Sequence, residues 1–115
     1  MRRFLPILAS AAAIAACDPA WSVQGHVTSP AGVAVRGATA VLRCPGAADR
    51  AARTDLEGVF EIGGTGAGPS LQCAVRLAAP GFAPASLPLD GSCDDAVEGS
   101  GRCVVAVLEA RLEPR

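Results

Sequence analysis

The chain has no Lys, no Asn and no Tyr, and only four of its 115 residues are aromatic. Its cationic charge is therefore carried by ten Arg, which eleven Asp and Glu balance to a formal −1. That balance excludes a nucleic-acid binder with a basic face. With so few aromatics, and with 24 Ala among the apolar residues, the hydrophobic core is thin. Gly and Pro are plentiful, 22 residues together, a share that raises the question of disorder. Val, Leu, Ile and Phe still number 27, and the small net charge disfavours the disordered class. One small domain fits this length and two do not.

Long apolar runs are missing as well. Met1-Arg2-Arg3 is followed by thirteen uncharged, mostly apolar residues from Phe4 to Ala16, then by Cys17-Asp18-Pro19. Such a run is too short to cross a bilayer as a helix, but it suits the apolar region of a signal peptide behind a basic start. The junction Ile14-Ala15-Ala16-Cys17 resembles the bacterial lipoprotein signal. The resemblance implies cleavage before Cys17, diacylglyceryl attachment to its sulfur, and usually acylation of the new amino group. Residues 1–16 are then a lipoprotein signal peptide, 17–21 the lipidated cysteine and a short tether, and 22–115 a folded domain.

Ordinary cleavage after Ala13-Ile14-Ala15 is the alternative, and it leaves Cys17 a plain thiol. Parity speaks against it: of five Cys, lipidation of Cys17 leaves an even four for an oxidising compartment. Two or three acyl chains make the anchor effectively permanent. The expected location is the bacterial cell envelope, on the periplasmic face of the inner membrane or at the outer membrane. Asp18 to Trp21 reach about 14 Å at most, so the domain sits close to its membrane. Without residues 1–16, eight Arg face eleven acids, a formal −3. That charge gives no electrostatic reason to seek anionic polymers or lipid headgroups.

Beyond Trp21 the helical period is absent, and short alternating segments recur between Gly/Pro-rich turns, the pattern of an all-β sandwich. Val23, Gly25 and Val27 fall on one face of Ser22 to Thr28. Ala38, Ala40, Leu42 and Cys44 alternate inward, and Pro45 to Ala52 reads as a loop. Thr54 to Ile62 reads as a hairpin in which Asp55 accepts backbone N–H bonds and Gly58 takes a positive φ. Gly63 to Gly68 lacks the Lys and following helix of a phosphate-binding loop and reads as a flexible hairpin connection. Leu71, Cys73, Val75 and Leu77 point inward. Pro84 and Pro88 mark Ala83 to Leu89 as an edge strand. Val104, Ala106, Leu108 and Leu112 close the domain from the inside.

Taken in order, several of these pieces resemble the carboxypeptidase regulatory-like domains. The matching run is Val23-Gln24-Gly25-His26-Val27, Gly32 and Val35, Gly37-Ala38 with Leu42, then Thr54-Asp55-Leu56-Glu57-Gly58-Val59-Phe60-Glu61-Ile62, and Pro80-Gly81-Phe82. The resemblance implies a seven-stranded transthyretin-like (prealbumin-like) β-sandwich and a non-catalytic accessory or interaction module. It supplies no binding residues. The four remaining cysteines and the segment Asp90 to Arg102 depart from the family pattern.

Cys44, Cys73, Cys93 and Cys103 allow three pairings, and spacing alone does not choose among them. Alternation favours Cys44–Cys73, meeting across the core, and Cys93–Cys103, bracketing a Gly/Ser/Asp-rich loop. In the chain-entropy view these bridges contribute roughly 3.5 and 2.7 kcal/mol as upper values. Four thiolates on zinc would need reduced sulfur and closely spaced pairs, and no metal or cofactor is expected.

His26 has no Cys, Asp or Ser at a motif spacing, so no hydrolase triad is legible and an enzyme is not expected. Trp21 reads as packing against the start of the sandwich, Arg50 and Arg53 as a solvated face. The segment Asp90 to Cys103 gathers Asp90, Asp94, Asp95 and Glu98, and loops held by a rigid scaffold commonly carry binding residues. It is the candidate partner loop, with a solvated crossover as the alternative. The function expected is a membrane-anchored, non-catalytic binding or scaffolding lipoprotein whose partner is a cell-envelope protein or polysaccharide. The alternative is an inhibitor-type lipoprotein that presents this disulfide-closed loop to an extracellular hydrolase.

Overall fold

Period-two burial builds the strands of the computed structural model, which describes residues 20–97 and 99–115. The expected signal peptide, Cys17 with the start of its tether, and Glu98 lie outside the described residues. In β1 (Ala20–Thr28), Trp21, Val23, Gly25 and Val27 are buried between more exposed neighbours. Ala40 and Leu42 are buried in β2 (Thr39–Arg43), Phe60 and Ile62 in β4 (Val59–Thr65), and Val75 and Leu77 in β5 (Ala74–Ala78). Shorter and wetter strands are β3 (Arg50–Arg53), β6 (Ala85–Pro88) and β7 (Cys93–Val97). The last strand, β8 (Arg102–Arg111), buries Cys103, Ala106, Leu108 and Ala110.

These strands form two four-stranded sheets, in the orders β4-β1-β8-β7 and β3-β2-β5-β6. The pair β1–β8 is parallel and the others are antiparallel. One apolar core takes side chains from both sheets, among them Phe60, Leu77, Leu108 and Leu112. Small residues stand opposite large ones: a Cβ on Gly25 would collide with the Phe60 ring. Each fully buried Val, Leu or Phe contributes about 1.5–3 kcal/mol relative to exposure, so a core poor in aromatics still holds the sheets together.

Among the described residues the chain is all-β with two sheets, as expected, but it has eight strands where seven are expected. The additional strand is β7, inside the segment Asp90 to Arg102 that reads as a loop. It is an edge strand, wet on both faces, so no apolar alternation marks it. Its pairing with β8 is also irregular, with register shifts that leave Asp94 unpaired on β7 and Val104 unpaired on β8. The Val104 bulge reverses the parity of β8. Cys103 and Ala106 are buried as a result, and Val104 is not an inward residue.

Three connections differ from their sequence reading. The turn at Asp55 forms as expected, with Asp55 Oδ1 accepting the N–H groups of Glu57 and Val59 at 2.9 Å each. Gly58 has φ 80°. The turn nevertheless does not close a hairpin, because β3 pairs with β2 in one sheet and β4 with β1 in the other. Arg50 to Ala52, read as loop, begin β3. Gly63, Gly64 and Thr65 belong to β4, opposite Ser22, Trp21 and Ala20, and the segment after them crosses between sheets.

The disulfides are Cys44–Cys73 and Cys93–Cys103. Neither spans the core. Cys44 and Cys73 lie one step beyond the β2–β5 pair Arg43–Ala74, so they extend one sheet rather than join two. The bond Cys93–Cys103 joins β7 to its neighbour β8.

Candidate functional site

Four elements end together where β1 begins. Trp21, second residue of β1, is buried to 9% exposure, and its ring passes so close over Gly64 that a Cβ there would lie 2.6 Å from it. This is the packing role expected of Trp21. Arg50, first residue of β3, is not merely solvated: its guanidinium carbon lies 5.4 Å from the centre of the Trp21 ring. Its Nη1 donates to the Gly63 carbonyl at 2.9 Å. Arg53 similarly donates to the Gly37 carbonyl at 3.1 Å.

Arg102 opens β8 at the same end. Its Nη1 donates to the Gly68 carbonyl at 3.1 Å, and its backbone bridges to Ser70. Together with Trp21, Ser70 and the loop after Cys44, the two arginines line a cleft of about 380 Å³. Among the described residues no carboxylate lines it. Among the described residues, the ion pairs within 4.0 Å are Arg43–Asp49 and His26–Glu109, so neither Arg50 nor Arg102 meets a described carboxylate within that distance. Each guanidinium has further N–H donors beyond the one on a carbonyl, and these are directional donors for an oxyanion.

The acidic segment is organised otherwise. Asp90 precedes β7, and Asp94 and Asp95 are exposed on it, stapled to β8 by Cys93–Cys103. The candidate partner loop is thus the β7–β8 hairpin with its turn, and Glu98 lies outside the described residues. Charges on an edge strand also block its open backbone from pairing with another chain. Among the described residues no group of three His, Cys, Asp or Glu is placed to hold a metal ion.

His26 lies on the outer face of β1, with Nδ1 3.5 Å from Glu109 Oε1 on β8. Its surroundings are Gln24, Val59 and Val107. The cleft had no sequence signal. Trp21, Arg50 and Arg102 are far apart in the chain; the β1–β8 pairing sets the start of β8 beside the start of β1, and Arg50 reaches Trp21 and Gly63 from the other sheet.

No protein-family model matches the chain, and no curated protein matches it. Among solved structures it is similar to chlorocatechol 1,2-dioxygenase from Pseudomonas putida, with a TM-score of 0.61 at 14% identity. That match covers 84% of this chain and 61% of the other. The Bacillus anthracis TIE protein is similar with a TM-score of 0.53 at 14% identity, over 84% of this chain and 17% of that one. The likeness is one of fold. In both cases this chain spans less than two thirds of the other's length.

Proposed function

We propose that this protein is a non-catalytic binding or scaffolding module of the bacterial cell envelope, held at a membrane through lipidated Cys17. The cleft carries the binding role: two arginines stand beside a buried Trp, and no carboxylate or histidine among the described residues lines it. The anchor is supported by the junction Ile14-Ala15-Ala16-Cys17. Two disulfides among the remaining cysteines suit an oxidising compartment. For the fold we take the carboxypeptidase regulatory-like, transthyretin-like type, on the ordered run from Val23 to Phe82 and the two-sheet architecture. The ligand is an envelope component, with protein and polysaccharide partners meeting the faces that point away from the membrane. No nucleic acid or cofactor takes part.

A second reading, an inhibitor-type lipoprotein, is favoured by one observation: the disulfide-stapled β7–β8 hairpin exposes Asp94 and Asp95. Fractionation tests the anchor. Wild-type protein should sediment with membranes and Cys17→Ser should stay soluble; a soluble wild type contradicts the proposal. Replacing Asp94, Asp95 and Glu98 together by Ser separates the two readings. Recovery of envelope partners is retained for a module that works through its cleft and faces, and is lost for an inhibitor that works through the hairpin.

A further inference from the structure

The net charge of the mature domain conceals a local field of the opposite sign. Acids outnumber arginines overall, yet the cleft at the β1 end holds Arg50 and Arg102 and, among the described residues, no carboxylate. Arg50 is held in place on both sides, by the Trp21 ring and by the Gly63 carbonyl. Arg102 is held by the Gly68 carbonyl. Ser70 Oγ accepts the Gln72 N–H at 3.0 Å, which leaves its hydroxyl proton to donate into the cleft. Fixed donors lose little freedom on binding, so the site is prepared for an anion before one arrives.

The place of the cleft in the fold names the anion. Trp21, which lines it, is four residues from Cys17. A tether of that length spans about 14 Å at most, so the cleft lies within reach of the surface in which the anchor is seated. A membrane surface presents anionic headgroup phosphates, and arginines held close to it are attracted to them within a Debye length. We infer that the Arg50–Arg102 cleft binds the headgroup phosphate of an anionic phospholipid in the membrane that carries the anchor. The inference rests on the anchored reading for the source of its ligand. Leu42, Ala67 and Pro69, which also line the cleft, offer apolar contact to the glycerol portion. Docked in this way, the domain turns its opposite end, with the exposed side chains of Val33 and Leu56, away from the membrane.

Trp21 is the only tryptophan, so its emission reports on this cleft alone. Full-length protein in a non-ionic detergent is titrated with dihexanoyl phosphatidylglycerol. A saturable change in emission is expected, with apparent affinity weakened about tenfold in Arg102→Gln, the effect of losing charge-assisted hydrogen bonds. Arg102→Lys keeps the charge but not the fork, guards against a folding defect, and should weaken binding less. Arg76→Gln, at a separate cleft shared with Phe82 and Arg115, should bind as the wild type does. Inorganic phosphate at the same concentration should give no saturable change. An equal response to inorganic phosphate overturns the headgroup as occupant, and an undiminished response in Arg102→Gln overturns the cleft as its site. The acyl mass of the same preparation is read separately. A chain without it refutes the anchored reading, whereas an acylated chain whose emission does not respond refutes the headgroup site alone.

Discussion

The guanidinium of Arg50 lies over the ring of Trp21, 5.4 Å from its centre, and joins the start of β3 to the start of β1 across two different sheets. Its Nη1 is bonded to the Gly63 carbonyl of β4, so one side chain touches three strands at this corner. Arg50→Ala should lower the unfolding free energy by about 1–2 kcal/mol, from the lost cation–π contact and the lost hydrogen bond. Urea unfolding followed by Trp21 emission measures it, and the folded-state emission should change as well.

Thr54 is the buried polar side chain of the core, at 6% exposure. Its Oγ1 accepts the Ala38 N–H at 2.8 Å and donates to the Val35 carbonyl at 2.7 Å, pinning the chain before β2 to the end of β3. Thr54→Val fills the same space but leaves both backbone groups unpaired, at a cost of about 2–4 kcal/mol. Thr54→Ser restores the bonds and should recover most of that loss in thermal unfolding.

The two disulfides close chain segments of different length, with sequence separations of 29 and 10. Replacing Cys44 and Cys73 by Ala should cost about 3.5 kcal/mol at most, and replacing Cys93 and Cys103 about 2.7. Both bridges run within a sheet, so neither replacement should separate the sheets. The double variants should unfold in one cooperative step, and non-reduced peptide maps should recover the two pairs described.

The Asp55 carboxyl is held below the usual carboxylate range, first by the Val59 N–H and then by that of Glu57. A carboxyl whose pKa is lowered on folding stabilises the protein above its unfolded pKa, and that contribution is lost as pH falls through the folded value. Asp55→Ala should therefore melt below the wild type at neutral pH. The difference should shrink as pH falls from about 4, the ordinary range of an Asp carboxyl.

Strand faces were legible where one side is dry. Val23, Gly25 and Val27 in β1, and Cys73, Val75 and Leu77 around β5, alternate cleanly because one sheet face packs on the core. The prolines of Ala83 to Leu89 marked an edge strand, and β6 is at the edge of its sheet. The partition between sheets was not legible at Thr54 to Ile62. The Asx turn at Asp55 fixes the chain reversal locally, whereas pairing depends on β2 and β1, which lie far away in sequence. β7 was hidden because Asp94 and Asp95 are exposed and a bulge breaks its period. The cleft was hidden for a related reason. Arg50 and Arg102 are isolated charges in the sequence, and a net charge of opposite sign masks the local field they make together.

The intact mass of wild-type protein recovered from membranes tests the central proposal most directly. The anchored-module account predicts a chain that begins at Cys17, carries added acyl mass, and is lighter by four hydrogens for its two disulfides. An unacylated chain, or one still carrying residues 1–16, would contradict it.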